Sequence, residues 1–293
     1  MLKPPLNRAG RVLALSALLL VSATMPALAS TVRFLATADS GSGDANQRAV
    51  GQMMAKIHRQ KPVDLVILAG DNIYPSGDVA LLDATFRRPY RELLQAGVPF
   101  HAVLGNHDIR TNNGVGQLKE PLFGMAGRWY QLHRGPVDLF MIDTNVNAAW
   151  QHQLPWLTKA LANSRASWKV VVGHHPLISS GFYGNDPNGL RRLGPLFERY
   201  GVQLYINGHD HHYERSQPIR GTTYLVVGSG GAHLRPVVPG PRSATALSAF
   251  SFAELEATDT TLIIHGWDAK GRRIDQVKLQ RTGSGATVKP ASP

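Results

Sequence analysis

The chain has 293 residues, 43% of them hydrophobic and 17% charged, with no cysteine. This excludes a disordered tail protein, a coiled coil or a collagen-like rod, and also disulfides, thiolate nucleophiles, zinc fingers and iron–sulfur clusters. Lys and Arg number 31 against 20 Asp and Glu, and the formal charge of +11 favours an anionic partner without choosing among phosphate ester, nucleic acid and membrane surface.

The first 29 residues read as a secretory signal peptide. Lys3, Arg8 and Arg11 open it, Val12–Ala23 is a short apolar run, and Ala27-Leu28-Ala29 supplies small residues for cleavage. The run is shorter than the roughly 20 apolar residues of a membrane span. No cysteine follows the cut, so a lipoprotein is not expected. Removing three basic residues takes the net charge from +11 to +8. Export without cysteine suits a periplasm or the external medium, with no membrane association after cleavage.

Beyond the leader, strand-like and helical patterns alternate. Val32–Thr37 predicts a strand and Ala45–Arg59 a helix, with Val50, Met53, Met54 and Ile57 at helical spacing and Asp44 as its N-cap. Val63–Leu68 is a continuous apolar run, the pattern of a strand buried on both faces. Leu81–Leu94 predicts a helix interrupted at Pro89, and Val98–Leu104 a further strand. The stretch from Asn112 to Gly127 reads as a glycine-rich surface loop. Strands are expected over Val137–Ile142, Trp168–Val172 and Val202–Ile206, with helices over Leu154–Leu161 and Leu190–Tyr200. From Thr222 onward the pattern is strands alone: Tyr224–Val227, Phe250–Glu256, Thr261–Trp267 and Ile274–Leu279. Residues 283–293 read as a flexible tail. The expectation is one α/β domain over residues 30–282 that closes with antiparallel strands.

Metal-competent side chains recur just past these strands. Asp39 follows the first, Asp71 the second, and Asn106-His107-Asp108 the third. His174-His175 and His209-Asp210-His211-His212 follow two later ones, and six of the twelve histidines fall in these segments. In open α/β sheets, ligands bind beyond the carboxyl ends of the strands, so residues distant in sequence converge there. Each segment alone has an ordinary explanation as a turn or a solvated loop. Their joint recurrence points to a metal site, which without cysteine must be built from His, Asp, Asn, Glu, Tyr or backbone oxygens.

On Asp39-Ser-Gly41, Gly70-Asp71-Asn72-Ile73-Tyr74, Gly105-Asn106-His107-Asp108, Gly173-His174-His175-Pro176 and Gly208-His209-Asp210-His211, the chain resembles the calcineurin-like metallophosphoesterases. Within them it is similar to the small, tartrate-resistant type of purple acid phosphatase. The three-residue spacing of Asp71 and Tyr74 and the segment Gly208–Arg215 carry that closer likeness.

The resemblance implies a four-layer α-β-β-α sandwich of two mixed sheets and a pair of metal ions bridged by Asp71. Asp39, Tyr74 and His211 would complete one ion's ligands, and Asn106, His174 and His209 the other's. A phenolate suits Fe(III), and imidazole with amide oxygen suits a divalent ion such as Fe, Zn or Mn. The implied reaction is hydrolysis of small phosphate monoesters by direct attack of metal-bound hydroxide. His107 would contact the phosphoryl group and protonate the leaving oxygen, Asp108 would orient its ring, and His175 would line the pocket. The small members carry a substrate-side His nine residues after the His-x-Pro histidine; here that position is Tyr183. A phosphodiesterase acting on cyclic nucleotides or phospholipid headgroups is the alternative on the same site. A nucleic-acid-binding module is not expected, because the basic residues are scattered in pairs such as Arg87-Arg88 and Arg191-Arg192.

Overall fold

A computed structural model describes residues 1–2, 31–282 and 287–290. The leader reading falls almost wholly outside the described residues. Among the described residues no helix is long and apolar enough to cross a membrane.

The elements in chain order are β1 (Val32–Thr37), α1 (Ala45–Gln60), β2 (Leu65–Leu68), α2 (Arg91–Gln95), β3 (Phe100–Ala102), α3 (Val115–Lys119), β4 (Tyr130–Arg134) and β5 (Val137–Met141). There follow α4 (Trp150–Asn163), β6 (Trp168–Val172), α5 (Pro187–Tyr200), β7 (Leu204–Asn207), β8 (Tyr213–Ser216), β9 (Thr223–Val227) and β10 (Ser243–Leu247). The chain closes with β11 (Ser251–Ala257), β12 (Thr261–Asp268), β13 (Arg273–Thr282) and β14 (Thr287–Pro290). One sheet has the order β14-β13-β12-β11-β1-β2-β3 and the other β10-β8-β9-β7-β6-β5-β4. Both are mixed: β1–β2–β3 and β5–β6–β7–β9 run parallel, while β11–β14, β4, β8 and β10 pair antiparallel.

The period of two along each strand builds the layers. Phe34, Ala36, Leu65 and Ile67 of the first sheet face Leu139, Met141, Val170, Val172, Leu204 and Ile206 of the second in one buried cluster. Their alternates point outward. Leu35, Val66 and Leu68 pack under Val50, Met54 and Ile57 of α1. Phe140, Val171 and Tyr205 pack under Leu157 and Leu161 of α4 and Leu193 and Phe197 of α5. The result is helix, sheet, sheet, helix, and it explains why β2 and β6 are apolar at nearly every position: both faces are covered.

Local signals set the helix ends. The Asp44 carboxylate accepts from the backbone N–H of Asn46 and Gln47 at 2.9 and 3.0 Å, capping α1. Asp186 caps α5, and Gly201, at φ 65°, ends it.

Four expectations change. The helix expected over Leu81–Leu94 is broken into a tight turn at Val79–Leu81, a wide turn at Asp83–Arg87 and α2, with Pro89 between the last two. The loop expected from Asn112 to Gly127 contains α3 and two tight turns. Tyr224–Val227 belongs to β9, which runs parallel to β7, so the closing antiparallel set begins at β11. Within the expected flexible tail, residues 287–290 form β14 beside β13.

Candidate metal centre

Every singled-out segment leaves the carboxyl end of a parallel strand. Asp39 lies past β1, Asp71 past β2, Asn106 and His107 past β3, His174 past β6 and His209 past β7. Asp39, Asp71 and His209 adopt left-handed backbone, with φ of 53°, 53° and 67°. For non-glycine residues this conformation costs on the order of 1–3 kcal/mol and persists where the surroundings impose it. The backbones also approach closely. A Cβ at Gly208 would collide with the Asp39 carboxylate, and one at Gly105 with the Asp71 carboxylate.

Seven side chains form one connected cluster with Asp71 at its middle. The Tyr74 hydroxyl oxygen lies 3.1 Å from Asp71 Oδ2, 3.2 Å from Asp39 Oδ1 and 3.3 Å from His211 Nε2. His211 Nε2 is 3.3 Å from Asp39 Oδ1. On the other side of Asp71, His174 Nε2 is 3.5 Å from the same Oδ2 and 3.1 Å from Asn106 Oδ1. Asn106 Oδ1 is also 2.8 Å from His209 Nδ1. Asp71 Oδ2 is therefore shared by two groups, Asp39–Tyr74–His211 and Asn106–His174–His209. Asp71 Oδ1 accepts the backbone N–H of His107 at 2.8 Å, which fixes the carboxylate's orientation.

The donor chemistry fits cations. His174 Nδ1 donates to the Ala69 carbonyl at 2.9 Å and His211 Nδ1 to the His233 carbonyl at 2.7 Å, so each ring, when neutral, turns the Nε2 lone pair inward. Asp39 and Asp71 are buried, and among the described residues no Lys or Arg pairs with either. Burial, with the charge of Asp71, pushes Asp39 up to about 6. Burial, then Asp39 and Asp71, pushes the Tyr74 phenol far above its ordinary range. Burial drives His174 well below the imidazole range, and burial with His174 and His175 takes His209 to about 2. For His211, burial opposes the charged form, but the hydrogen bond and charge of Asp39 outweigh it and raise the ring. A cluster of lone pairs this costly without a counter-charge is the environment that two bound cations relieve.

His175 is distinguished from His174 by its partner. The Thr144 hydroxyl oxygen accepts the backbone N–H of His174 and of His175 at 3.1 and 3.0 Å. Its hydrogen is left for His175 Nδ1, 2.9 Å away. Burial holds His175 below its ordinary range, and in a neutral ring whose Nδ1 accepts that hydrogen the proton is on Nε2. A ring nitrogen of His175 nevertheless lies within 4.8 Å of those of His174 and His209.

His107 sits at the edge, its Nε2 4.0 Å from Asp71 Oδ2 and its ring 4.5 Å from that of Tyr74. Its Nδ1 donates to the Pro75 carbonyl at 2.7 Å, and Arg110 donates to its Nε2 at 3.2 Å. Tyr183, at the position of the expected second substrate-side histidine, stacks on His209 with ring centres 4.0 Å apart.

Asp108 does not orient His107. Its buried carboxylate accepts from the N–H of Asn72, Ile73 and Gly105, from the Asn72 side chain and from Gln117. Burial and then the charge of Asp71 push it up to about 7. It ties the loop carrying Asp71 and Tyr74 to the loop carrying Asn106 and His107. A carboxylate one residue from His107 was expected to face the same way; the turn at Asp108–Arg110 sends it inward instead. Sequence reasoning also missed Thr144 and Arg110. Thr144 lies two residues past the strand expected over Val137–Ile142, so its strand-end position was the available signal; Arg110 offered none.

Comparison with known proteins agrees with this geometry. Residues 32–213 match the model of the calcineurin-like phosphoesterase family. Purple acid phosphatase 3 of Arabidopsis thaliana is 32% identical over 233 residues, covering 69% of this chain and 63% of that protein. Tartrate-resistant acid phosphatase type 5 of Oryctolagus cuniculus is 26% identical over 301 residues, covering 86% and 91%. In fold, the chain is similar to a purple acid phosphatase from yellow lupin (Lupinus luteus) seeds, with a TM-score of 0.77 at 21% identity over 88% of this chain and 55% of that one. The chain belongs to the calcineurin-like phosphoesterase family and, with Purple acid phosphatase 7 of Arabidopsis thaliana 31% identical and covered over 74% of its length, to the purple acid phosphatases.

Proposed function

We propose that this protein is an exported phosphatase that hydrolyses small phosphate monoesters at a centre of Fe(III) and a divalent ion. The observation that carries the reading is the convergence of both donor groups on Asp71 Oδ2. Asp39, Tyr74 and His211 would hold the first ion, Asn106, His174 and His209 the second, and Asp71 both. When bound, such a pair supplies activation of water and neutralisation of phosphoryl charge.

The chain's own residues do the rest. Thr144 and the Ala69 carbonyl fix the two neighbouring imidazoles in opposite tautomers, so His174 offers a lone pair and His175 an N–H. His107, with Nε2 4.0 Å from Asp71 Oδ2, would contact the phosphoryl group. Its Nε2 gives a proton to the leaving oxygen only from the cationic ring, after Arg110 has yielded that nitrogen. Water is the nucleophile, and no phosphoenzyme forms. Export rests on the leader-like residues 1–29 and is tested by the N-terminal sequence of the secreted protein.

Metal analysis and a visible spectrum of the purified protein test the centre. Two ions per chain, one of them iron, and a purple or pink band are expected. Tyr74→Phe removes one oxygen and keeps the ring, so the band should vanish while iron stays bound. A colourless, active wild type indifferent to Tyr74→Phe would exclude the Fe(III)–phenolate pair. Paired assays with an aryl phosphomonoester and its bis-ester test the substrate class, with the monoester expected to turn over faster.

A further inference from the structure

A cavity of about 420 Å³ lies between α5 and the hairpin that joins β8 to β9. It is separate from the metal centre, for none of the seven candidate ligands lines it. Its floor is apolar. Ile178 and Tyr224 are buried in the cluster that packs under α4 and α5, and Leu190 and Ile219 are half-buried against the same cluster. Its rim is charged, with Arg191, Arg220 and Arg242 against Glu198 alone.

The opening is built into α5. Leu190, Gly194 and Glu198 stand four residues apart, on one face of the helix, and the middle position has no side chain. A Cβ at Gly194 would meet no atom within 4 Å, so no close approach of another element requires glycine there. Glycine in a helix interior is less stable than alanine or leucine. A larger helix-forming residue would favour α5 and fill the cavity; the glycine keeps it open.

The hairpin presents one of the cations. Ile219 and Thr222 exchange backbone hydrogen bonds at 2.8 and 3.0 Å across a two-residue turn, with Arg220 at φ 49° and Gly221 at φ 86°. The first position of such a turn favours Asn, Asp or Gly, yet here it holds an arginine. Arg220 pairs with Glu198 at 3.2 Å, and both side chains are exposed. Arg191 donates to the neutral Asn188 side chain. The Arg242 carbonyl accepts the Gln217 N–H at 2.8 Å, while its guanidinium has no ion pair among the described residues. One carboxylate thus faces three guanidiniums, and Arg242 is the one left without a partner.

Floor and rim meet at Tyr224. Its ring centre is 6.1 Å from that of Tyr205, within the apolar cluster. Its backbone N–H donates to the Ser216 hydroxyl at 2.9 Å, but its own hydroxyl has no hydrogen-bond partner among the described residues. Burial pushes the phenol up to about 12, and the charges of Arg220 and Arg242 oppose that rise, so both are felt at the hydroxyl. A neutral O–H donor and an unpaired guanidinium above an apolar floor match a carboxylate on a flat apolar body, because guanidinium and carboxylate are complementary planar forks. The volume lies in the range of small-molecule sites.

We propose that this cavity is a second ligand site, which takes a small aromatic carboxylate with its rings on Ile178, Leu190 and Ile219 and its charge between Arg242 and the Tyr224 hydroxyl. A neutral aromatic would leave the cations unpaired, and a bare inorganic anion would leave the floor uncovered.

The test is calorimetric titration of the metal-loaded full chain with 2-naphthoate, 2-naphthamide, acetate and decanoate, with orthophosphate present to occupy the metal centre. The variants are Arg242→Gln, Tyr224→Phe and Gly194→Leu. 2-Naphthoate should bind best of the four. A charge-assisted hydrogen bond is worth about 10–100-fold, and 2-naphthamide on the wild type and 2-naphthoate on Arg242→Gln should each be weaker by about that factor. Tyr224→Phe loses a neutral donor and should cost about 2–10-fold. Gly194→Leu should abolish binding while Tm holds or rises, which separates a filled cavity from a damaged fold. Bound metal should be the same in all three variants. Equal affinity for the amide, tighter binding of acetate or decanoate, or 2-naphthoate binding that survives both Arg242→Gln and Gly194→Leu would each overturn the proposal. So would the absence of saturable binding below about 10 mM.

Discussion

At the residue scale, the centre is a problem of paired donors. Each inward-facing lone pair is set by what the other end of the side chain touches. His174 and His175 are adjacent in sequence and differ because one meets the Ala69 carbonyl and the other the Thr144 hydroxyl. His107 has the same logic, with Nδ1 on the Pro75 carbonyl and Nε2 under Arg110. Its proposed proton transfer predicts that His107→Ala lowers turnover by about 10²–10⁴-fold while bound metal is retained. The loss should be larger for alkyl than for aryl phosphates, because an alkoxide needs the proton more. Steady-state kinetics on both, beside metal analysis, checks this; equal losses would leave His107 as a phosphate contact only.

At the element scale, two loops leaving β2 and β3 carry Asp71, Tyr74, Asn106 and His107, and Asp108 is the knot between them. Five donors end on its buried carboxylate. Removing a buried acceptor leaves donors unsatisfied at about 1–3 kcal/mol each, and partial relaxation will recover some of that. Asp108→Ala should therefore cost at least about 3 kcal/mol in denaturant unfolding and also lower metal content, since both ligand-bearing loops loosen. An orienting role confined to His107 would leave stability and metal untouched. Thermal and urea unfolding with metal analysis separates the two.

At the scale of the whole molecule, the closing strands β11–β14 complete the first sheet. β11 pairs with β1, and 221 residues apart in sequence the Arg33 and Glu254 side chains form a buried ion pair at 2.7 Å across them. Burial alone would raise Glu254, but the His265 ring 3.8 Å away and hydrogen bonds from Arg33 and Trp267 outweigh it and hold the carboxyl at about 2. The folded value lies below the ordinary carboxyl range, so this stabilisation is full above about pH 4.5 and drains away as pH falls towards 2. Glu254→Gln leaves Arg33 buried without its counter-charge, a loss of about 3–5 kcal/mol at neutral pH. The variant's stability should also fall less between pH 5 and 2 than the wild type's, which a pH series of urea melts measures.

Most strand positions and the residues at their carboxyl ends were legible in the sequence. Apolar runs such as Leu65–Leu68 and Trp168–Val172 are local signals, and a polar residue next to one must sit at a strand end. The N-caps Asp44 and the break at Pro89 were equally local. The sharing of Asp71 Oδ2 between two donor groups was not local, since it joins residues from both sheets. Nor was the sheet to which β9 belongs, the inward turn of Asp108, or the choice that Thr144 makes between two histidines. A sequence determines the period of its side chains and the chemistry of its turns. Which buried faces meet, and so which distant donor finds which acceptor, is decided only when the two sheets close on each other and exclude water.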